Sequence, residues 1–111
     1  MIDQAIIDQY LKTIYDDYIS WCDRADMSQE NRDYFNEKFK NGLKAIKGKK
    51  YIKIIKEGSV HSFIVAETDP KFKLGDVLMA ATYNAPARNK ARGNVLEGTA
   101  KISWTGANYL I

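Results

Sequence analysis

Cysteine occurs once in the 111 residues, histidine once and proline twice. The single Cys22 cannot close an internal disulfide, which fits a reducing compartment. Cys22 and His61 together are too few soft ligands for a zinc site, and the N-terminal acids lack the spacing of a calcium loop. No metal and no organic cofactor is expected. Long apolar runs are missing too: none approaches the roughly 20 residues that span a bilayer. Met1-Ile2-Asp3-Gln4 has neither the basic nor the apolar region of a secretory signal. The chain therefore reads as cytoplasmic, with no membrane partner. Catalytic signatures are equally scarce. No nucleophile elbow or phosphate-binding glycine loop occurs, and paired carboxylates for glycoside chemistry need a cleft that a domain this small rarely supplies. Ser59, His61 and Ser62 are neighbours in sequence. Side chains alternate along a strand, so His61 is expected to face away from both serines, as a half-buried or surface residue. The expectation is a protein that is not an enzyme and has no catalytic residues.

What is present is an ordinary globular composition with an unusual arrangement of charge. Hydrophobic residues make up 45% and charged residues 28%, enough for one compact core. Residues 1–37 hold nine acids against three bases, a net charge of −6; residues 38–111 hold fourteen bases against five acids, a net charge of +9. Segregation of this kind sets up an extended positive field that attracts polyanions. The alternative is that oppositely charged regions attract each other within an oligomer.

The apolar positions Ile7, Leu11, Ile14, Tyr18 and Trp21 recur at spacings of three and four, one stripe of a helix over residues 6–22, with Tyr10 and Ile19 flanking it. Residues 23–27 break the pattern, and Ser28 is placed to cap a second helix in which Glu30 favours the positive end of the dipole. Phe35, Phe39, Leu43 and Ile46 predict that this helix runs to a stop at Gly48, with Lys44 and Lys47 in its last turn. Strands are predicted over 51–57, 60–67, 74–83, 92–97 and 100–111, separated by Gly58-Ser59, by 68–71, by a basic loop at 84–90 and by Gly98. Five short strands at this spacing suggest a strongly bent antiparallel barrel whose closure limits exposed edges. The expected class is α+β, mostly β: one domain, 1–111, with an acidic helical extension at 1–48 and a basic barrel at 49–111.

Residues 84–94, Asn-Ala-Pro-Ala-Arg-Asn-Lys-Ala-Arg-Gly-Asn, combine three cations with asparagines and glycine. Arginine contacts phosphate bidentately or stacks on a base, asparagine reads base edges, and glycine permits close backbone approach. Tyr83, Trp104 and Tyr109 are candidate stacking surfaces. The bland alternative is a solvated connection with those aromatics in the core. Lys44, Lys47, Lys49 and Lys50 form a second basic cluster, either a solvated helix end or part of a phosphate track.

Lys56-Glu57-Gly58, Phe63-Ile64-Val65, Asp69 and Phe72-Lys73, followed by Ala91-Arg92-Gly93-Asn94-Val95, resemble the two motifs of Sm-like proteins. That family builds a bent barrel after an N-terminal helix and assembles into rings. Lys73 stands where the family has a base-contacting asparagine, and Phe72 offers an apolar or stacking contact instead. The acidic two-helix extension is longer than the family's single helix. The stretch from Gly75-Asp76-Val77-Leu78 through 86–95 to Ser103-Trp104-Thr105-Gly106 is similar to a group of small proteins from marine phages and ocean metagenomes, associated with cyanophages and an Sm-like fold. These resemblances imply a homo-oligomeric ring that handles single-stranded RNA or DNA, acting in the host cytoplasm if phage-encoded. Phe72, Lys73, Arg92, Gly93 and Asn94 would contact the strand, with Arg88 and Lys90 on its phosphates. The rival expectation is a phage protein-interaction module that docks on a host or phage protein through its apolar helix stripes.

Overall fold

The computed structural model describes residues 2–24, 28–100 and 102–107. Helix α1 spans Gln4–Arg24 and α2 spans Gln29–Gly42. Asp3 opens α1 by accepting from the Ile6 amide at 3.0 Å. Ser28 caps α2 as its sequence predicts, accepting from the Asn31 amide at 3.3 Å. The predicted stripe of α1 is its buried face: Ile7, Ile14 and Tyr18 lie inside, Leu11 is half-buried, and Trp21 at the far end is exposed. Tyr10, expected only to flank this stripe, is buried as well.

The second helix is shorter than its periodicity predicts. It ends at Gly42, and Leu43–Lys47 is strand β1, paired antiparallel with β2 (Tyr51–Lys56) in the register Ala45 opposite Ile54. Leu43 and Ile46 are thus strand residues. The spacing of three that links them to Phe39 coincides with a helix, but Leu43 and Ala45 alternate onto the core face while Lys44 and Ile46 take the other. Gly42 also lies close to Glu57, whose backbone would sit 3.0 Å from any Cβ at position 42. Gly48, expected as a helix stop, instead closes the β1–β2 hairpin by donating to the Tyr51 carbonyl at 2.9 Å.

Strands β3 (Ser59–Val65) and β4 (Val77–Leu78) complete an antiparallel sheet in the order β1-β2-β3-β4. A separate hairpin, β5 (Ile102–Ser103) and β6 (Gly106–Ala107), lies beside it. The class is α+β, but the expected five-stranded barrel does not close. The predicted strand 74–83 forms a regular ladder with β3 only through Val77 and Leu78. Beyond them the chain folds back on itself, with Ala87 donating to the Met79 carbonyl at 2.7 Å and a bridge between Ala80 and Pro86. Ala80-Ala81 is a weak strand former, and Pro86 has no amide to extend a ladder. Residues 92–95 run alongside 75–77 through single bonds such as Val77 N to Gly93 O at 3.0 Å, without forming a regular strand. The predicted strand at 100–111 is replaced by the β5–β6 hairpin turning at Trp104-Thr105; residues 108–111, Tyr109 among them, lie outside the described residues.

The sheet is covered on both faces. Ile52, Ile54, Ile64 and Val77 pack against α1 and Phe39 of α2. On the opposite face Phe63, Val65 and Leu78 form a second cluster with Phe72, Tyr51 and Ala91. Among the described residues, no helix is long and apolar enough to cross a membrane.

Candidate nucleic-acid interface

The face opposite the helices carries a cluster of basic and aromatic side chains. Alternation along β2 sends Ile52 and Ile54 to the helical core and leaves Tyr51 and Lys53 on the other side. Lys53 Nζ sits 4.1 Å from the ring centroid of the exposed Tyr83 and donates to Asn84 Oδ1 at 3.5 Å. Next to it, the Arg88 guanidinium lies over the Phe72 ring, 5.1 Å from its centroid, and donates to the Tyr51 hydroxyl and, at 2.8 Å, to Asp69 Oδ2. Lys71 Nζ is 5.5 Å from the same ring centroid and donates to the Arg88 carbonyl. The Phe72 amide, and then Arg88, hold the Asp69 carboxyl down at about 2, so it is ionised at neutral pH. The Asp69 hydrogen bond holds Arg88 above its ordinary value. Lys50, 5.9 Å from the Tyr51 ring centroid, extends the cationic surface toward the β1–β2 turn.

The residues expected to contact a strand fall into two groups. Arg88, Lys90 and Lys73 are exposed. Arg88 belongs to the face just described, whereas Lys73 is paired with Glu97, which raises the lysine's pKa. Phe72, Arg92 and Asn94 are buried. Phe72 is the floor beneath Arg88. Arg92 Nη1 donates to Asn89 Oδ1 at 2.9 Å and to the Lys90 carbonyl at 2.7 Å, tying the basic loop together from inside. Asn94 donates to the Leu74 carbonyl and Asp76 Oδ1, both at 2.9 Å, and accepts from the Leu96 amide at 2.8 Å, which clips the chain around 74–76 to the following turn. Gly93 has φ 96°, and a Cβ there would lie 1.9 Å from the Thr99 carbonyl oxygen. Only glycine fits. Trp104, one of the candidate stacking surfaces, packs on the helical side against Tyr18, Trp21 and Phe39.

Sequence reasoning did not single out Tyr51, Lys53 or Lys71 for this face. The signal was the strict alternation of residues 51–54, which separates Tyr51 and Lys53 from Ile52 and Ile54.

The relation of His61 to the serines is corrected. Its Nδ1 lies 2.8 Å from Ser62 Oγ, and both residues are buried. The register jumps there, Ile54 pairing with Ser62 and Ile55 with Val60, so His61 is the extra residue of a β-bulge and alternation fails. His61 Nε2 is 2.7 Å from the Ser103 carbonyl, which only accepts, so Nε2 carries the proton. Nδ1 then accepts from Ser62, and Ser62 accepts in turn from the Tyr10 hydroxyl at 2.7 Å. Burial lowers the His61 pKa to about 4, against the pull of the Ser103 carbonyl and helped by Lys56. This neutral chain of hydrogen bonds ties α1, β3 and β5 together. A cavity of about 420 Å³ opens beside Tyr10, lined also by Ile6, Gln9, Val95 and Ile102. Among the described residues, no three His, Cys, Asp or Glu side chains cluster closely enough to hold a metal ion.

Comparison with protein-family models, curated proteins and solved structures found no match to this chain.

Proposed function

We propose that the chain is a non-catalytic nucleic-acid-binding protein that takes single-stranded RNA or DNA on the sheet face opposite its helices. One observation carries the reading: Lys53 over the exposed Tyr83, with Asn84 beside them, adjoins Arg88, Lys71 and Tyr51 on that same face. Cations hold phosphates, an exposed ring stacks on an unpaired base, and an asparagine amide pairs with a base edge. The net-negative helix α1, with four acids against two bases, lies on the other side of the sheet, so a polyanion approaching this face avoids its repulsion. An Sm-like arrangement, assembly into a homo-oligomeric ring and a phage origin belong to the same proposal; the first two rest on the motif resemblance at 56–73 and 91–95, and the phage origin on the resemblance at 75–78, 86–95 and 103–106. Lys90, Lys73 and Arg92 enter as flanking or supporting cations. The test is anisotropy of a labelled single-stranded RNA and a matched DNA at several salt concentrations. Micromolar or tighter binding that weakens steadily with salt is expected; no binding at low salt overturns the reading.

A second reading has its own observation. Tyr34, 62% exposed, and Phe35 stack edge to face on the outside of α2, a surface suited to a protein partner. Partner binding that is insensitive to salt, by a chain that is monomeric and indifferent to nucleic acid, would favour it.

A further inference from the structure

Arg88 has more partners than any other cation on this face, and one of them is an anion from the chain itself. The two oxygens of Asp69 do different work. Oδ1 builds the turn at 69–72, accepting from the amides of Lys71 at 2.8 Å and Phe72 at 2.7 Å, while the Asp69 amide donates to the Phe72 carbonyl at 2.9 Å. Oδ2 takes no part in the turn and meets Arg88 Nη2 at 2.8 Å. The guanidinium is supported from below by the Phe72 ring and tethered at Nη1 by the Tyr51 hydroxyl. It is therefore oriented before any ligand arrives, and one of its two terminal nitrogens already meets a carboxylate oxygen.

A guanidinium fork is shaped for the paired oxygens of a carboxylate or a phosphate, and the two compete for the same donors. We propose that Arg88, with Lys71 beside it, is a phosphate seat occupied from within: the Asp69 carboxylate stands where a nucleic-acid phosphate binds and has to be displaced. The inference rests on the reading of this face as a nucleic-acid interface and adds to it a named competitor. An isolated small anion gains little by exchanging for an oxygen already in place. A strand anchored at Lys53 and Tyr83 holds its next phosphates close to Arg88 at high local concentration, and the exchange becomes favourable. The seat thus favours a chain of phosphates over a single one.

The opposite role for Asp69, orienting Arg88 for its ligand, predicts the reverse effect on affinity, so the two are separable. Asp69→Asn keeps an oxygen for the turn amides and replaces the charged Oδ2 with a group that does not accept from Arg88. Asp69→Ser, whose hydroxyl also closes such turns, is the second variant, and thermal melts confirm that each is folded. Wild type, Asp69→Asn, Arg88→Ala and the double variant are titrated into one labelled single-stranded oligonucleotide at fixed salt. The expected result is binding about two- to fivefold tighter for Asp69→Asn, the range of an exposed ion pair, weaker binding for Arg88→Ala, and no gain from Asp69→Asn when Arg88 is absent. Unchanged or weaker binding by Asp69→Asn and Asp69→Ser overturns the proposal, as does an equal gain with and without Arg88, which is a general charge effect. If none of the four proteins binds at low salt, the reading of the face itself falls, and this inference with it.

Discussion

Single residues in this chain serve mostly to hold irregular backbone in place, and their substitutions have signed consequences. His61 is neutral in the fold, with its pKa lowered from an ordinary 6.5 to about 4. Between those values the unfolded chain binds a proton that the folded chain refuses. The contribution of His61 is therefore complete above about pH 6.5 and is lost as pH falls toward 4, an effect on the order of 2–3 kcal/mol. Denaturant melts at pH 7.5, 5.5 and 4.5 should show this decline, and it should be absent from a folded variant lacking the imidazole. Ser62→Ala removes the link between Tyr10 and His61 and leaves two buried groups without their partner, a cost of about 1–3 kcal/mol each by the same melts. Gly93→Ala places a methyl group 1.9 Å from the Thr99 carbonyl oxygen at positive φ, and should destabilise by more than about 3 kcal/mol or prevent folding. Arg92→Ala should loosen the basic loop it binds from inside, so its effect on affinity needs a stability measurement beside it.

Among the elements, edge strand β1 and the chain after β4 separate what periodicity reveals from what pairing decides. Helix α1 and strand β2 are legible because one more deeply buried face imposes a period on each, and the cap of α2 because Ser28 itself supplies the acceptor; β3, buried on both faces, is legible from its short apolar run bounded by turn residues. Residues 43–47 satisfy two periods at once, and pairing with β2 selects the strand, which no local pattern announces. Backbone Cα and Cβ chemical shifts at 43–47 should therefore be strand-like; helical values would contradict the fold. The bulge at His61 was hidden for a related reason: alternation predicts direction only while the register holds. In the candidate site, the basic loop at 84–94 was visible in its composition. The division between exposed Arg88 and buried Arg92 was not, because it depends on which of two nearby arginines turns beneath the loop. Asp69 was visible as a turn residue, but its second oxygen reaches Arg88 across a fold the sequence does not display.

On the scale of the whole molecule, the charge segregation along the chain becomes a partial layering: α1, with four acids against two bases, lies on one side of the sheet, α2 is balanced at three of each, and Lys53, Lys71 and Arg88 lie on the other side. Tyr83→Ala should weaken single-strand binding by about 1–3 kcal/mol, the worth of one stacked base. Lys53→Ala should reduce affinity and flatten the dependence on salt by about one counterion. Glu37→Gln, on the outside of α2, should alter neither; if binding followed net charge and not this face, Glu37→Gln would tighten it about as much as Lys53→Ala weakens it, and Tyr83→Ala would leave it unchanged. The most direct test maps the contact itself. Amide resonances of the isotopically labelled chain are followed as a single-stranded oligonucleotide is added at low salt. The account predicts shifts at residues 51–53, 69–72 and 83–90, with the solvent-facing residues of α1 and α2 unmoved. Shifts confined to the helices, or none at all at saturating oligonucleotide, would contradict it.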